Sequence, residues 1–191
     1  MESAEEFQHT LVPGRECGFC TVCCYATHVD TPEFKKAQGE VCKHCTGRGC
    51  GIYETRPPIC RTFHCGWRYT AALGDDWRPD RSGVLQVPIK EGIPEQSRYR
   101  EGWNLLVLGG EASIRRAGFV ELVLDLVGRG VPAFLTASGP MGAPCARVIL
   151  NDTLAGAAKA RDRAAALKVL LAIHRHLMAL DHMTAARPEK A

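Results

Sequence analysis

Ten cysteines are the residues best suited to chemistry in this chain, and nine of them fall between positions 17 and 65. The densest run is CGFCTVCC, Cys17 to Cys24, with four thiols in eight residues. Three Cys-x2-Cys pairs occur, Cys17–Cys20, Cys20–Cys23 and Cys42–Cys45. This spacing lets two thiolates converge on one metal while the intervening amides point toward sulfur. Zinc takes four such ligands tetrahedrally, and iron–sulfur clusters are held by four thiolates in similar loops. Cys20–Cys23 and Cys42–Cys45, separated by 18 residues, also fit a zinc ribbon with one structural metal. That simpler reading leaves Cys17, Cys24, Cys50, Cys60 and Cys65 without a role. Neighbouring side chains point apart in extended chain, so Cys23 and Cys24 are expected to face different partners, one a metal and the other a second metal or redox chemistry.

A second motif, GCGIYETRPPICRTFHCGW, runs from Gly49 to Trp67. A metal held by four thiolates carries a charge of about −2, and Arg56 and Arg61, flanking Cys60, could offset it through N–H···S contacts. Pro57 and Pro58 stiffen the loop that delivers Cys60. Ile52, Tyr53, Phe63 and Trp67 supply apolar bulk, as plain packing or as a shell that keeps water from the site. His44 and His64 adjoin candidate ligands and could each replace a cysteine on zinc or on an iron.

Taken together, C-x2-C-x2-CC, then Cys42 with a following histidine, then GCxIYExRPxxCRxFxC, resembles the YkgJ-like family of zinc- or iron-chelating cysteine-cluster proteins. The likeness covers about residues 15–67. It implies that Cys17, Cys20, Cys23, Cys24, Cys42, Cys50, Cys60 and Cys65 are metal ligands. Cys45 falls where relatives more often carry a hydrophobic residue, so the resemblance leaves its ligand role open.

The elements that must position these groups divide by composition. Residues 1–67 are rich in Cys, Gly, Pro, Thr and His with little hydrophobic periodicity, and read as a loop-rich domain that folds around metal. Within it, Thr31 as an N-cap predicts a helical turn around Pro32–Gln38. Residues 68–101 form a transition segment punctuated by Gly and Pro, in which SGVLQVPI suits a strand. Residues 102–191 follow conventional patterns: WNLLVL a strand, ASIRRAGFVELVLDLVGRG one amphipathic helix, PAFLTA and ARVIL two strands, and about Thr153–Asp181 a last helix. In that helix Leu167, Leu170, Leu171, His174, Leu177 and Met178 form one apolar stripe, with His174 expected to be a satisfied core residue. The fold class expected is α+β, a metal-stabilised cysteine cluster followed by a small, mostly antiparallel ββα-ββα sheet with helices on one face.

Other chemistry finds little support. A net charge of +3 shows no dense basic stripe, so no nucleic-acid partner is expected. The start, MESAEEFQHT, is acidic without the pattern of a secretory signal, and no apolar run approaches a membrane span, so a cytoplasmic location without membrane contact is expected. In that reducing setting clustered thiols point to metal or catalysis more than to disulfides. The GG after WNLLVL belongs to no phosphate-binding motif, Ser138 lacks a nucleophile elbow, and Cys145 reads as a buried structural thiol. The function expected is metal binding, of zinc or of iron including a four-iron cluster, in metal handling or redox chemistry. Two alternatives stand beside it: a zinc-stabilised adaptor with a protein partner, and an iron–sulfur enzyme with a pocket between the two domains.

Overall fold

The computed structural model describes residues 9–139 and 146–185. The chain combines helices with a four-stranded mixed sheet and a two-stranded hairpin, an α+β architecture. The main sheet has the order β3–β4–β5–β6, with β3 at Val84–Ile89, β4 at Gly102–Val107, β5 at Ala133–Ala137 and β6 at Arg147–Ile149. The two outer pairs are antiparallel, whereas β4 and β5 run parallel. A parallel pair needs a crossover, and the helices between β4 and β5 supply it. β3 lies within residues 68–101, so that stretch contributes the edge strand of the same sheet.

Two helices expected as single elements are each divided. The first consists of α5, Gly110–Ile114, and α6, Ala117–Gly128. The break falls at Arg116, whose backbone is extended (φ −62°, ψ 131°). Its guanidinium reaches away to the carbonyls of Asp76 and Arg81 and to the Asp76 carboxylate. The second consists of α7, Asn151–Ala160, and α8, Arg163–Ala185. Here Arg161 takes a left-handed conformation (φ 50°), and the Asp162 carboxylate accepts from the Ala165 amide at 2.9 Å, capping α8. Among the described residues no helix is long and apolar enough to cross a membrane. Cys145 lies outside the described residues.

Side chains alternate across the sheet, as a period of two requires. Val84, Leu105, Val107 and Leu135 join the main core, where α6 buries Phe119, Val120 and Val123 and α8 buries Leu170 and Leu177. Leu85 and Leu106 point the other way and pack with Val22 and Ala26 from the cysteine-rich segment. Helices therefore cover one face of the sheet and the cysteine segment covers the other. Cys65 packs against both clusters, as a residue at the β3 edge can.

The cysteine segment carries more regular structure than loops alone. It holds α1 at Cys23–Ala26, a hairpin of β1, Val29–Asp30, with β2, Lys35–Lys36, and then α2 at Pro58–Thr62 and α3 at Gly66–Tyr69. The hairpin replaces the helical turn expected after Thr31. The Thr31 hydroxyl does accept from a backbone amide, that of Phe34 at 3.1 Å, but it closes a turn between strands. A last short helix, α4 at Pro79–Ser82, leads into β3.

Candidate metal centre

Short turns and helices bring the thiols to the sheet. In CGFC, Gly18 adopts φ 53°, which favours glycine, and the turn closes with the Cys20 amide donating to the Cys17 carbonyl at 2.9 Å. Val22 and Ala26 then pin α1 to the sheet and so place Cys20, Cys23 and Cys24. The Cys42 amide donates to the Cys24 carbonyl at 2.8 Å, tying the middle cysteine to α1. One residue pair onward, the His44 amide points at the Cys42 sulfur at 3.4 Å, the N–H···S contact that Cys-x2-Cys spacing favours. Cys45 and Cys50 face each other across an isolated bridge, with Gly49 (φ 138°) in the turn between them. Pro57 and Pro58 start α2, which carries Cys60, and Cys65 caps α3.

Between this segment and the sheet lies a cavity of about 360 Å³. Seven thiols border it, those of Cys17, Cys20, Cys23, Cys24, Cys42, Cys50 and Cys60, with Leu85, Val87, Asn104 and Leu106 of the sheet on the far wall. All nine described cysteines are free thiols and half-buried. Among the described residues no group of three or more His, Cys, Asp and Glu side chains is close enough to hold a metal ion. The thiols border a space rather than converge on a point.

Electrostatic contact sorts them into two groups. Cys65, Cys17 and Cys20 lie near enough that a thiolate on one would disfavour a thiolate on the others. Burial pushes the Cys65 thiol up to about 11 and raises Cys20. In the other group Cys60 feels Cys42, Cys50 and Cys24, and burial raises it too. Cys24 hydrogen-bonds Cys23 and Cys45, and the bond with Cys23, more than burial, raises its pKa. Cys23 and Cys24 thus meet instead of diverging, and they do so within the short helix α1 rather than in extended chain.

Lys36 was not legible as a site residue, yet it is only 4% exposed and borders the same cavity. Its ammonium donates to the carbonyls of Tyr25, Thr27, Ala37 and Glu40. Burial lowers its pKa, and negative charge on Cys42, Glu40, Cys24 or Cys23 opposes that shift. Asp80 also escaped sequence reading. It hydrogen-bonds the Cys20 thiol and is gripped by Arg78 through both oxygens, at 2.7 and 2.8 Å. No local signal marked either residue, since each reaches the thiols through tertiary packing.

Of the two arginines expected beside sulfur, Arg56 borders the cavity, stacks over the Tyr53 ring at 3.6 Å and favours the Cys60 thiolate. Arg61 is exposed on α2. The guanidinium that donates to a sulfur is that of Arg68, 3.7 Å from Cys17 Sγ. Ile52 and Phe63 border the cavity, Tyr53 is exposed, and Trp67 is buried in the main core. His44 and His28 border the cavity, whereas His64 stands edge-on to Tyr69 and is held below its usual pKa by burial. No protein-family model, curated protein or solved structure matches the chain.

Proposed function

We propose that this chain is a metal-binding cysteine-cluster protein whose thiols hold zinc or iron, an iron–sulfur cluster included, for metal handling or redox chemistry. The observation that carries this reading is the gathering of seven free thiols from separate short turns and helices around one cavity against the sheet. A hydrophobic core has no use for so many soft donors in one place, and thiophilic metals do. The donor set fits such a metal in chemistry: sulfur ligands, an amide directed at Cys42 Sγ, and the cations of Lys36, Arg56 and Arg68 around them. Metal entry would displace thiol protons, and it would draw together donors that now border the cavity. The resemblance of residues 15–67 to YkgJ-like proteins points the same way.

The cavity favours a centre with access to small molecules over a purely structural one. Its walls combine thiols with apolar sheet residues, and Lys36, His28 and Asn104 add a few polar groups. The test is anaerobic purification followed by elemental analysis and an ultraviolet–visible spectrum. Bound zinc, or iron with sulfide and broad absorption at about 400 nm, is expected in the wild type and is reduced in Cys60→Ser. A folded protein that carries no metal and takes up none would overturn the proposal.

A further inference from the structure

The two thiol groups differ in their surroundings, and one of them includes an oxygen donor. Cys17 and Cys20 flank the Gly18 turn, and Cys65 joins them from the start of α3. Asp80 arrives from α4, well outside the cysteine-rich segment, and its carboxylate hydrogen-bonds the Cys20 thiol. Arg68 donates to Cys17 Sγ at 3.7 Å, and its amide is tied to the Cys65 carbonyl at 2.9 Å. Arg78 holds Asp80 by two bonds and lies against the same turn, with Nη1 3.8 Å from where a Gly18 Cβ would stand.

We infer that Cys17, Cys20, Cys65 and Asp80 form a second, separate metal centre with three sulfur donors and one oxygen, suited to a tetrahedral divalent cation such as zinc. The inference rests on the metal-binding reading above. Three thiolates, a carboxylate and a divalent ion leave two negative charges, and Arg68 and Arg78 are already in place to offset two. Ligating carboxylates are themselves hydrogen-bonded in metal sites, and Arg78 supplies such bonds to Asp80. The donors do not converge among the described residues, so loading requires them to move together. The three thiol protons leave to solvent as the ion binds. Cys23, Cys24, Cys42, Cys45, Cys50 and Cys60 remain for the other centre, which then needs nothing from this one.

The experiment loads the full chain anaerobically with zinc(II) alone and measures bound metal per protein, together with the sulfur-to-oxygen ratio at zinc by X-ray absorption. Wild type, Cys17→Ser, Cys65→Ser, Asp80→Ala and Cys60→Ser are compared. Cys17→Ser and Cys65→Ser should each lose one equivalent and keep the rest, and Cys60→Ser should lose the other. Asp80→Ala should weaken one equivalent at least tenfold and remove the oxygen contribution. Cys17 sits in a half-buried turn, so its variant reports even where Cys65→Ser disturbs folding. If Cys17→Ser and Cys60→Ser empty the protein of the same metal, the separation of the two centres is wrong. An Asp80→Ala protein with unchanged affinity and an all-sulfur zinc environment removes Asp80 from the site. A wild type that takes up no zinc here and carries neither zinc nor iron in the purification above overturns the metal reading itself, a result distinct from either of these.

Discussion

His174 offers a sharp test of how the core is built. It occupies the apolar stripe of α8, is 5% exposed, and neither ring nitrogen has a hydrogen-bond partner among the described residues. A satisfied histidine was expected at this position, and the structure shows an unsatisfied one. Burial lowers its pKa below 6.5, and Arg175 adds to this while Glu111 opposes it. The folded chain therefore resists a proton that the unfolded chain accepts. The contribution of neutral His174 is complete above the unfolded pKa and is lost as the pH falls below it, at a slope of up to about 1.4 kcal/mol per pH unit. His174→Leu removes the titration and also the unmet polar atoms, whose burial costs about 1–3 kcal/mol. The variant should be about 1–2 kcal/mol more stable at neutral pH, a Tm rise of roughly 2–8 °C for a chain of this size. The gap should widen as the pH falls below 6.5, at no more than about 1.4 kcal/mol per pH unit. Parallel thermal and denaturant unfolding of both proteins across this range measures it, since titrations common to both cancel in the difference. A variant less stable than wild type, or a gap that does not change with pH, would refute the reasoning.

Three further substitutions probe how the thiols are positioned. Lys36→Met strips the hydrogen bonds from four carbonyls around a buried ammonium. It should cost about 3 kcal/mol in denaturant unfolding, and a neutral effect would show that the ammonium is not a structural clamp. Gly66→Ala places a Cβ 2.6 Å from the Trp103 ring and 2.7 Å from Gln86 Cβ. The forced shift of α3 on the sheet should cost about 1–3 kcal/mol, read as a lower denaturation midpoint. Arg15→Ala releases a guanidinium that bonds the carbonyls of Trp67, Thr70, Ala71 and Leu73. Amide exchange across residues 67–75 should accelerate, and unchanged exchange would show that the clamp is redundant.

The strands of the main sheet were legible because they carry short apolar runs between turn residues, as WNLLVL and PAFLTA do, and those periodic signals are local. The divided helices were not, because their breaks depend on partners distant in sequence. Arg116 leaves the helix for Asp76 and Arg81, which no helical window contains. The second break did leave a trace in Asp162, an N-cap residue inside the periodic run. Thr31 shows the converse failure, since a threonine that bonds an amide three residues on serves a hairpin turn as readily as a helix start. The cysteines themselves were identifiable from spacing. Their division into groups was not, because Cys65 joins Cys17 and Cys20 only once the chain has rounded the edge of β3.

The unequal treatment of the two sheet faces bears on why thiols and fold belong together. On the helix side α6 and α8 bury long apolar stripes, and that core extends through α7. On the other side, among the described residues, the buried cluster is Val22 and Ala26 against Leu85 and Leu106, with Val29 and Phe34 buried outside it. Ordering some 50 residues of mostly irregular chain costs about 1–2 kcal/mol each in backbone entropy. So small an apolar contact does not offset this alone. Backbone bonds such as Cys42 to Cys24 and the Lys36 clamp help, yet they tie neighbouring loops to one another more than to the sheet. Metal–thiolate bonds in the proposed centres would join the CGFC turn, α1, the Cys42–Cys50 turns, α2 and the start of α3 at fixed points. Chelation should then loosen residues 17–65 while the helix-side core keeps its protection. Amide exchange with and without chelator reads this directly, and uniform loss of protection over both faces would show that the sheet, too, depends on the metal.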